Sequence, residues 1–391
     1  MTYPLEKLKV LDFSRVLAGP FASRMLADLG ADVVKIEPPE GDVTRYWGKD
    51  IGNLPGCFHQ NNAGKRNICI DLRADGAIDL INKLVKKADI VMENYRPDVM
   101  GRLGIGYEDL KKVNPRLVML SISGFGHNSP ESHRPSYAPV IHAEAGLLHR
   151  MATRSNTILH DLPLSVADTN AGLHGLVALL SAIILRESTG LGQHIDMSMI
   201  DATVATDDNM IFNLEDAVDT GPKPSEIWQT PFAMVLLSTD FRLLFKQLTR
   251  KHGLEDPSTE DMDLEETIRL RREVVQLFID GLETREIFEE AMKKMNIAWG
   301  EVRDPATMSE QETIKSRGMI KQIDDRNGGT RPLIDSPYHF SDAESGNRGP
   351  VSHRGENNAE VLADWLGQSN EQSDQLVKDG VLLFDPEWQH H

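Results

Sequence analysis

Residues 8–37 read LKVLDFSRVLAGPFASRMLADLGADVVKIE, and this stretch predicts a strand, a tight turn, a helix and a second strand. Leu8–Phe13 reads as a strand, and the glycine and proline in 18–20 indicate the turn. Phe21–Leu29 has the spacing of a helix, and Ala31–Ile36 reads as the second buried strand. This succession favours a parallel sheet covered by helices, so we expect an α/β fold.

The turn of this unit stands where a dinucleotide-binding loop would stand, but it lacks the residues of such a loop. A dinucleotide-binding turn needs three glycines, so that the backbone can approach a pyrophosphate and the helix can pack closely. Residues 14–20 read SRVLAGP, with a single glycine and with the bulky Val16 and Leu17. The unit therefore predicts the fold without a nicotinamide cofactor.

The same alternation of elements continues beyond residue 37. Strands are expected near residues 67–72, 90–93 and 117–121, and helices near residues 76–87 and 107–113. The region from about 225 to 325 is different, because it is helical and acidic. A chain of 391 residues can form two domains, or one domain with a large insertion, and this change in character indicates where the second begins.

The charge of the chain bears on its partners. The sequence has 42 basic and 60 acidic residues and a formal net charge of −18, which disfavours nucleic-acid binding. A local basic patch can still hold a small anionic ligand.

Three further features of the sequence indicate the cellular compartment of the protein and whether it binds a metal ion. Cys57 and Cys69 form no metal-type or redox-type pair, which fits the reducing cytoplasm. The thirteen histidines are scattered without metal-ligand spacing, so no metal site is expected. The longest apolar stretch, residues 171–185, is shorter than the ~20 residues of a membrane span and predicts a buried helix instead.

Several blocks resemble the class III coenzyme A transferases, also called the CaiB/BaiF or formyl-CoA transferase-like family. They follow the order of that family over most of the chain. The blocks are DFSRVLAGP at 12–20, LGADVVKIEPP at 29–39, NAGKR at 62–66, ENYRP at 93–97, NPRL at 114–117, SISGFG at 121–126, GQHIDMSM at 192–199 and HRGENN at 353–358.

The resemblance implies a particular architecture. We expect a Rossmann-like large domain built from residues 1–200 and 328–391, and a smaller inserted α/β domain at 225–325. Residues 201–224 would form a linker helix and its connection. Members of the family interlock as two threaded rings, so the resemblance also implies a tight homodimer.

A coenzyme A site is expected in the first third of the chain. Coenzyme A carries a 3′-phosphate and a pyrophosphate, and cations that follow strands or begin helices are suited to bind them. Such cations are Lys65, Arg66, Arg73, Arg96 and Arg102, although each could equally be a solvated surface charge. The resemblance implies that the coenzyme A site is lined by Val16, Arg73, Asn94, Tyr95 and Arg102.

Asp168 is the expected nucleophile. It lies just before the long apolar helix, where free amide groups and the helix dipole would keep a carboxylate ionised. Those features alone would also fit a plain N-cap residue. The resemblance implies catalysis, because the family's catalytic aspartate falls in this block, and the acyl-CoA would then react through an aspartyl-CoA thioester. Coenzyme A would be a substrate, and no permanently bound cofactor is expected.

Tyr137 separates two branches of the family. The racemase branch carries a histidine at this position and uses its aspartate as an acid and base, whereas transferases carry tyrosine. His142 stands where a transferase commonly has glutamine, and its role could be either substrate-facing or structural. The tyrosine favours transfer of coenzyme A between carboxylic acids over the racemase alternative.

One departure concerns the glycine-rich flap of formyl-CoA transferases. Residues 221–232 read GPKPSEIWQTPF and contain no glycine run, so specificity for oxalate or formate is in doubt. If Trp228 and Phe232 lined the pocket they would favour a larger or partly apolar acyl group, but isolated aromatics more often lie in a core. The missing flap also keeps open a non-catalytic acyl-CoA-binding homologue.

Overall fold

The structure is a computed structural model that describes residues 2–215 and 225–385. It divides into two compact units, of which the first comprises Met1–Asp208 with Lys315–His391 and the second comprises Asn209–Ile314. Of the expected linker at 201–224 and the glycine-poor stretch at 221–232, residues 216–224 lie outside the described residues.

The first unit is built on a twisted sheet that is almost entirely parallel. The strands of the described chain are β1 (Lys9–Asp12), β2 (Asp32–Glu37), β3 (Arg66–Ile70), β4 (Ile90–Glu93), β5 (Val118–Ser123), β6 (His194–Ser198), β7 (Glu226–Gln229), β8 (Met234–Leu237), β9 (Trp299–Glu301), β10 (Ile320–Asp324), β11 (Thr330–Ile334) and β12 (Leu382–Leu383). Within the described residues the sheet has seven strands in the order β12-β3-β2-β1-β4-β5-β6. The order 3-2-1-4-5-6 is that of a Rossmann fold, and only β12, at the edge beside β3, runs antiparallel.

Helices cover both faces of this sheet, which confirms the predicted α/β fold. The helices of the described chain are α1 (Ala18–Asp28), α2 (Gly56–Asn62), α3 (Ala77–Val85), α4 (Val99–Arg102), α5 (Tyr107–Val113), α6 (Ala138–Glu144), α7 (Leu147–Ser155), α8 (Val166–Thr189), α9 (Met199–Ala205), α10 (Met210–Leu214), α11 (Phe241–His252), α12 (Leu264–Asp280), α13 (Arg285–Met295), α14 (Glu312–Ser316), α15 (Asn358–Leu366) and α16 (Asn370–Lys378). Core residues of α1, α6, α8 and α9 pack on one face of the sheet, and those of α3, α5 and α15 pack on the other.

The strands are buried on both faces, as the apolar runs of the sequence predict. Successive side chains of a strand point to opposite faces. Val10 and Val33 accordingly join the core beneath α1 and α8, whereas Leu11 and Val34 join the core beneath α3 and α15. Each of these four positions faces a helix layer and is apolar for that reason. The same strands also bury charged residues, such as Asp12 and Lys35.

Helix α8 is only half buried, and here the structure differs from the expected buried helix. Ala171 and Leu179 pack into the core over the sheet, but Val177 and Ile184 remain 64% and 74% exposed. The helix has 24 residues and is long and apolar enough to suit a membrane span, yet one side of it packs on β5 and β6. The result is an apolar stripe on the outer side of the first unit.

The second unit has its own small core. Among its described residues, β7, β8 and β9 form an antiparallel sheet packed against α11, α12 and α13. Trp228 is buried in this core, and Phe232 packs edge-on against Phe288. Both aromatics thus serve as core residues of the second unit, the more ordinary of the two interpretations of their sequence.

Residues 315–325, expected in the small domain, belong to the first unit. The reason is that β10 pairs in antiparallel register with β11, and β11 is fastened to α2. The side-chain amide of Gln60 in α2 accepts a hydrogen bond from the Ile334 N–H at 3.0 Å and donates one to the Ile334 carbonyl at 2.8 Å. The chain therefore re-enters the first unit earlier than its composition suggests.

Candidate active site

A cavity of about 320 Å³ opens in the first unit at the carboxyl ends of β1, β4 and β5. Ligands of α/β proteins commonly bind at this edge of the sheet. The cavity brings together six of the residues expected from the sequence to serve the site. These residues are Val16, Asn94, Tyr95, Arg96, Tyr137 and Asp168.

Asp168 faces this cavity from the first turn of α8. The backbone N–H of Ala18, the first residue of α1, donates a hydrogen bond to the Asp168 carboxylate. Burial raises the pKa of Asp168 to about 6, although the Ala18 N–H and His142 act in the opposite direction. The helix terminus thus does not hold the pKa low, as the sequence alone suggested, because the loss of hydration is the larger effect. At neutral pH the carboxylate is still mostly ionised, and it is less well hydrated than a surface carboxylate.

The contact between Asp168 and Ala18 depends on a glycine. Gly172 lies one turn after Asp168, and a Cβ atom there would come 2.9 Å from the Ala18 carbonyl oxygen and 3.0 Å from Cδ1 of Phe21. Only glycine lets α1 and α8 approach this closely without a shift of either helix. This close approach places the Ala18 N–H, at the start of α1, next to the Asp168 carboxylate.

A strained loop, residues 14–17, forms the wall of the cavity after β1. The Asn94 side chain clamps its backbone by accepting from the Arg15 N–H and donating to the Arg15 carbonyl, both at 2.8 Å. Val16 follows in the left-handed region at φ 69°, a conformation that is costly for a β-branched residue. The Asp42 carboxylate accepts from the Val16 N–H at 3.2 Å and so helps to hold this shape. Asn94 therefore lines the cavity while its side-chain amide supports the loop.

A buried charge network lies beneath this loop. Lys35 donates to the Ser14 carbonyl at 2.7 Å and to Asp42 at 3.1 Å. Lys65 donates to Asp12 at 3.1 Å and is buried beside it. Burial alone would raise the pKa of Asp12, but Lys65 and Lys35 lower it to about 2. The ammonium group of Lys65 thus points into the interior, away from the coenzyme A site expected for it.

Three further cations expected from the sequence, Arg66, Arg73 and Arg102, also lie outside the cavity. Arg66 pairs with Asp32 at 2.6 Å and with Asp364 at 2.9 Å, across β2 and α15. Arg73 is exposed and pairs with Asp71, and Arg102 is exposed on α4.

The cationic groups that do line the cavity are Arg15, Arg96 and Arg134. Arg134 is engaged by Glu131 and Glu144. Sequence reasoning named Arg96 among the candidate cations but missed Arg15, which was quoted only as part of a motif. The available signal for Arg15 was its position directly after the end of β1, where a parallel sheet meets its ligand.

Tyr137 and His142 lie at opposite ends of α6 and have different surroundings. Tyr137 is the N-cap residue, is 59% exposed and lines the cavity. His142 is 1% exposed and does not belong to the cavity wall in the described part of the chain. Its Nδ1 lies 3.0 Å from the Asp161 carboxylate, and its Nε2 accepts a hydrogen bond from the Ala167 N–H at 3.2 Å.

Comparison with known proteins gives a consistent result. The sequence model of a family described as CoA-transferase family III matches residues 5–358. The acetyl-CoA:oxalate CoA-transferase of Acetobacter aceti is 40% identical over 203 residues, which are 52% of this chain and 52% of that protein. The succinate–glutarate CoA-transferase of Agrobacterium fabrum is 29% identical over 386 residues, which cover 92% of this chain and 95% of that protein.

Solved structures agree with these sequences. A crystal structure of a CAIB/BAIF family protein from Brucella suis is similar with a TM-score of 0.78 and 28% identity, over 93% of this chain and 100% of that one. Several of the curated relatives, like the Acetobacter enzyme, are matched over only about half of their length. The family model nevertheless spans residues 5–358, which include the whole second unit and parts of both segments of the first. The chain therefore belongs to CoA-transferase family III, the family that its sequence blocks resemble.

Proposed function

We propose that this protein transfers coenzyme A between an acyl-CoA and a carboxylic acid, with Asp168 as the covalent nucleophile. The observation that carries the proposal is the Asp168 carboxyl group, which faces the cavity and has a pKa raised to about 6 by burial. A carboxylate with incomplete hydration is a better nucleophile toward a thioester than one on the surface. The names of the Acetobacter and Agrobacterium relatives support the same reaction.

The proposed reaction needs no group beyond the two substrates. Asp168 attacks the thioester carbonyl and gives a mixed anhydride with release of the coenzyme A thiolate. The thiolate then attacks the aspartyl carbonyl, which releases the first acid and leaves an aspartyl-CoA thioester. A second carboxylic acid attacks this thioester through its carboxylate, which forms a new mixed anhydride with Asp168 and releases the thiolate. The thiolate then attacks the acyl carbonyl of the second acid. That last step releases the new acyl-CoA and regenerates the Asp168 carboxylate.

The anionic groups of the substrates require cations at the cavity. Arg15 and Arg96 line it, and the ion pairs seen among the described residues include neither of them. A guanidinium group suits both a phosphate and a substrate carboxylate, so we assign these two arginines to anion binding. Val16, Asn94 and Tyr95 remain proposed contacts of coenzyme A, and Lys65 and Arg66 are reassigned to the support of the fold.

The wider setting of the enzyme is also a proposal. We expect a cytoplasmic homodimer that acts on small molecules and not on nucleic acid or membranes. The apolar stripe of α8 supports the homodimer, because an apolar helix face of this extent is commonly covered by another chain. The acids themselves stay open, since Trp228 and Phe232 lie in the core of the second unit and give no support for a larger acyl group.

A racemase is the second candidate, because a carboxyl group with a pKa of about 6 would also suit acid–base chemistry at the α-carbon. One experiment separates the two. The protein is incubated in heavy water with a panel of acyl-CoA thioesters, and activated carboxylates are trapped with hydroxylamine or borohydride. Mass spectrometry then maps adducts on the peptide that contains Asp168 and measures deuterium in the acyl group.

We expect an adduct on Asp168 and its absence in the Asp168→Ala variant. Deuterium at the α-carbon without an adduct would support the racemase. If a broad panel gave neither adduct nor exchange, while coenzyme A still bound, the proposal would be contradicted in favour of an acyl-CoA-binding protein.

A further inference from the structure

The first turn of α8 lacks a conventional cap. Ser165 is the N-cap residue, but in the described chain its side chain makes no hydrogen bond to the helix. The amide groups of the first turn have no partner within a helix and must find one elsewhere when they are buried. Ala167 is one of the residues of this turn and is fully buried, so its N–H is a donor that needs an acceptor from the protein.

His142 supplies that acceptor from a different helix. Its Nε2 lies 3.2 Å from the Ala167 nitrogen, across the contact between α6 and α8. The ring is fully buried, so water cannot take its place without a rearrangement of the core. Ala167 directly precedes Asp168, and holding its peptide group therefore holds the backbone from which the nucleophile projects.

Asp161 determines which ring nitrogen of His142 can accept. A carboxylate can only accept, so the 3.0 Å contact with Nδ1 requires the proton on Nδ1. The unprotonated nitrogen is then Nε2, the one that faces the Ala167 N–H. Asp161 itself also accepts from the Leu162 N–H at 2.7 Å, and the hydrogen bond from His142 lowers the pKa of Asp161. A relay therefore runs from Asp161 through His142 to the start of α8.

We propose that His142, oriented by Asp161, is a positioning residue that caps α8 from outside and fixes the direction of Asp168. The same short helix carries Tyr137 at its beginning and His142 near its end, so α6 couples the cavity wall to the nucleophile. This inference rests on the proposed function, because it assumes that the orientation of Asp168 limits the rate. A misplacement of about 1 Å at a reacting group can lower a rate by about 10²-fold.

Three variants test the proposal. His142→Leu keeps the volume but removes the acceptor, and we expect kcat to fall by about 10²-fold while KM for the acyl-CoA changes little. His142→Gln offers an amide oxygen to the Ala167 N–H and an amide N–H to Asp161, and should restore most of kcat. Asp161→Asn can donate a hydrogen bond to Nδ1 of His142, and the ring proton would then lie on Nε2. Nε2 could no longer accept from the Ala167 N–H, so kcat should fall again. His149→Leu, at an exposed position on α7, is the matched control.

Hydrogen–deuterium exchange of the peptide around 162–172 gives a readout independent of turnover. Faster exchange in His142→Leu, reversed in His142→Gln, is expected. An unchanged kcat and unchanged exchange in His142→Leu would overturn the proposal, as would a His142→Gln variant no better than His142→Leu. If the exchange results are as expected but wild-type Asp168 forms no adduct with any acyl-CoA, the cap stands and the proposed function fails.

Discussion

At the level of single residues, the burial that makes the Asp168 carboxylate reactive also lowers the free energy of unfolding at neutral pH. Its pKa is raised from 3.8 to about 6 in the folded protein, so between about pH 4 and 6 the folded state binds more protons than the unfolded state. The free energy of unfolding therefore contains a contribution from this group that decreases as the pH rises through that window. Above pH 6 the folded protein bears the full cost of burying the charge.

Asp168→Asn removes this cost. We expect the variant to be inactive yet more stable than the wild type at pH 7.5, by roughly 1–3 kcal/mol, with the gain disappearing below about pH 4. Denaturant unfolding at several pH values measures the difference. Asp75→Asn, which neutralises an exposed aspartate, is the control for the loss of one negative charge. A variant that is less stable than the wild type at neutral pH would contradict the argument.

Val16 is a second residue whose conformation has a cost. Its positive φ costs about 1–3 kcal/mol for a non-glycine residue, and glycine avoids that strain. We expect Val16→Gly to leave the free energy of unfolding unchanged or raised by up to about 1 kcal/mol, and to raise KM for the acyl-CoA because the loop becomes less ordered. Val302→Gly, at an exposed position without positive φ, should instead destabilise. Equal losses in the two variants would argue that Val16 is not strained.

Buried lysines show where residue-level prediction fails. The sequence shows cations after the strands, but not whether each side chain turns toward the ligand edge or into the interior. Lys65 turns inward because Asp12, 53 positions earlier, and Ser23 receive its ammonium group. The link from His142 to the Ala167 N–H was hidden for the same reason, since a backbone amide leaves no mark in a sequence.

At the scale of the element, the closeness of α1 and α8 is the feature to test. Gly172→Ala would insert a methyl group into the contact with Ala18 and Phe21, so the helices must separate. We expect a loss of roughly 1–3 kcal/mol in the free energy of unfolding and a lower kcat, because the Ala18 N–H moves away from the Asp168 carboxylate. Gly101→Ala on α4 is the control, since a Cβ there meets nothing within 4 Å. Full activity of Gly172→Ala would show that this spacing is not needed.

Elements with a strong local pattern were predictable and the others were not. The strand at Ile90–Glu93 and the helix at Tyr107–Val113 have the expected bounds, because apolar runs and helical spacing are local properties. Strand β6 alternates between exposed and partly buried residues, and β12 has only two residues. Their identity as strands comes from pairing with β5 and β3, which no local pattern reports. Asp168 likewise needed the family resemblance, since its local sequence fits an ordinary cap.

At the scale of the whole molecule, the apolar stripe of α8 predicts association. Leu173, Val177 and Ile184 lie on one side of the helix and are 44%, 64% and 74% exposed. If a second copy covers them, the wild type should be a dimer by analytical ultracentrifugation, and Val177→Glu should weaken or abolish it. Leu277→Glu, at a comparably exposed apolar position on α12, is the matched control. A monomeric wild type at micromolar concentration would contradict the prediction.

The edge strand β12 has a consequence for how the chain is made. Leu382 and Leu383 pair with Ile70 and Cys69 of β3, and Asn358 fastens the same edge by accepting from the Cys69 N–H and donating to the Leu383 carbonyl. On a ribosome these partners emerge only after the whole second unit has been synthesised. Until β12 has been synthesised, the edge of the sheet at β3 is unpaired and can pair with a strand of a neighbouring chain. We therefore expect the β3 edge to be open to such pairing throughout the interval between the synthesis of β3 and that of β12.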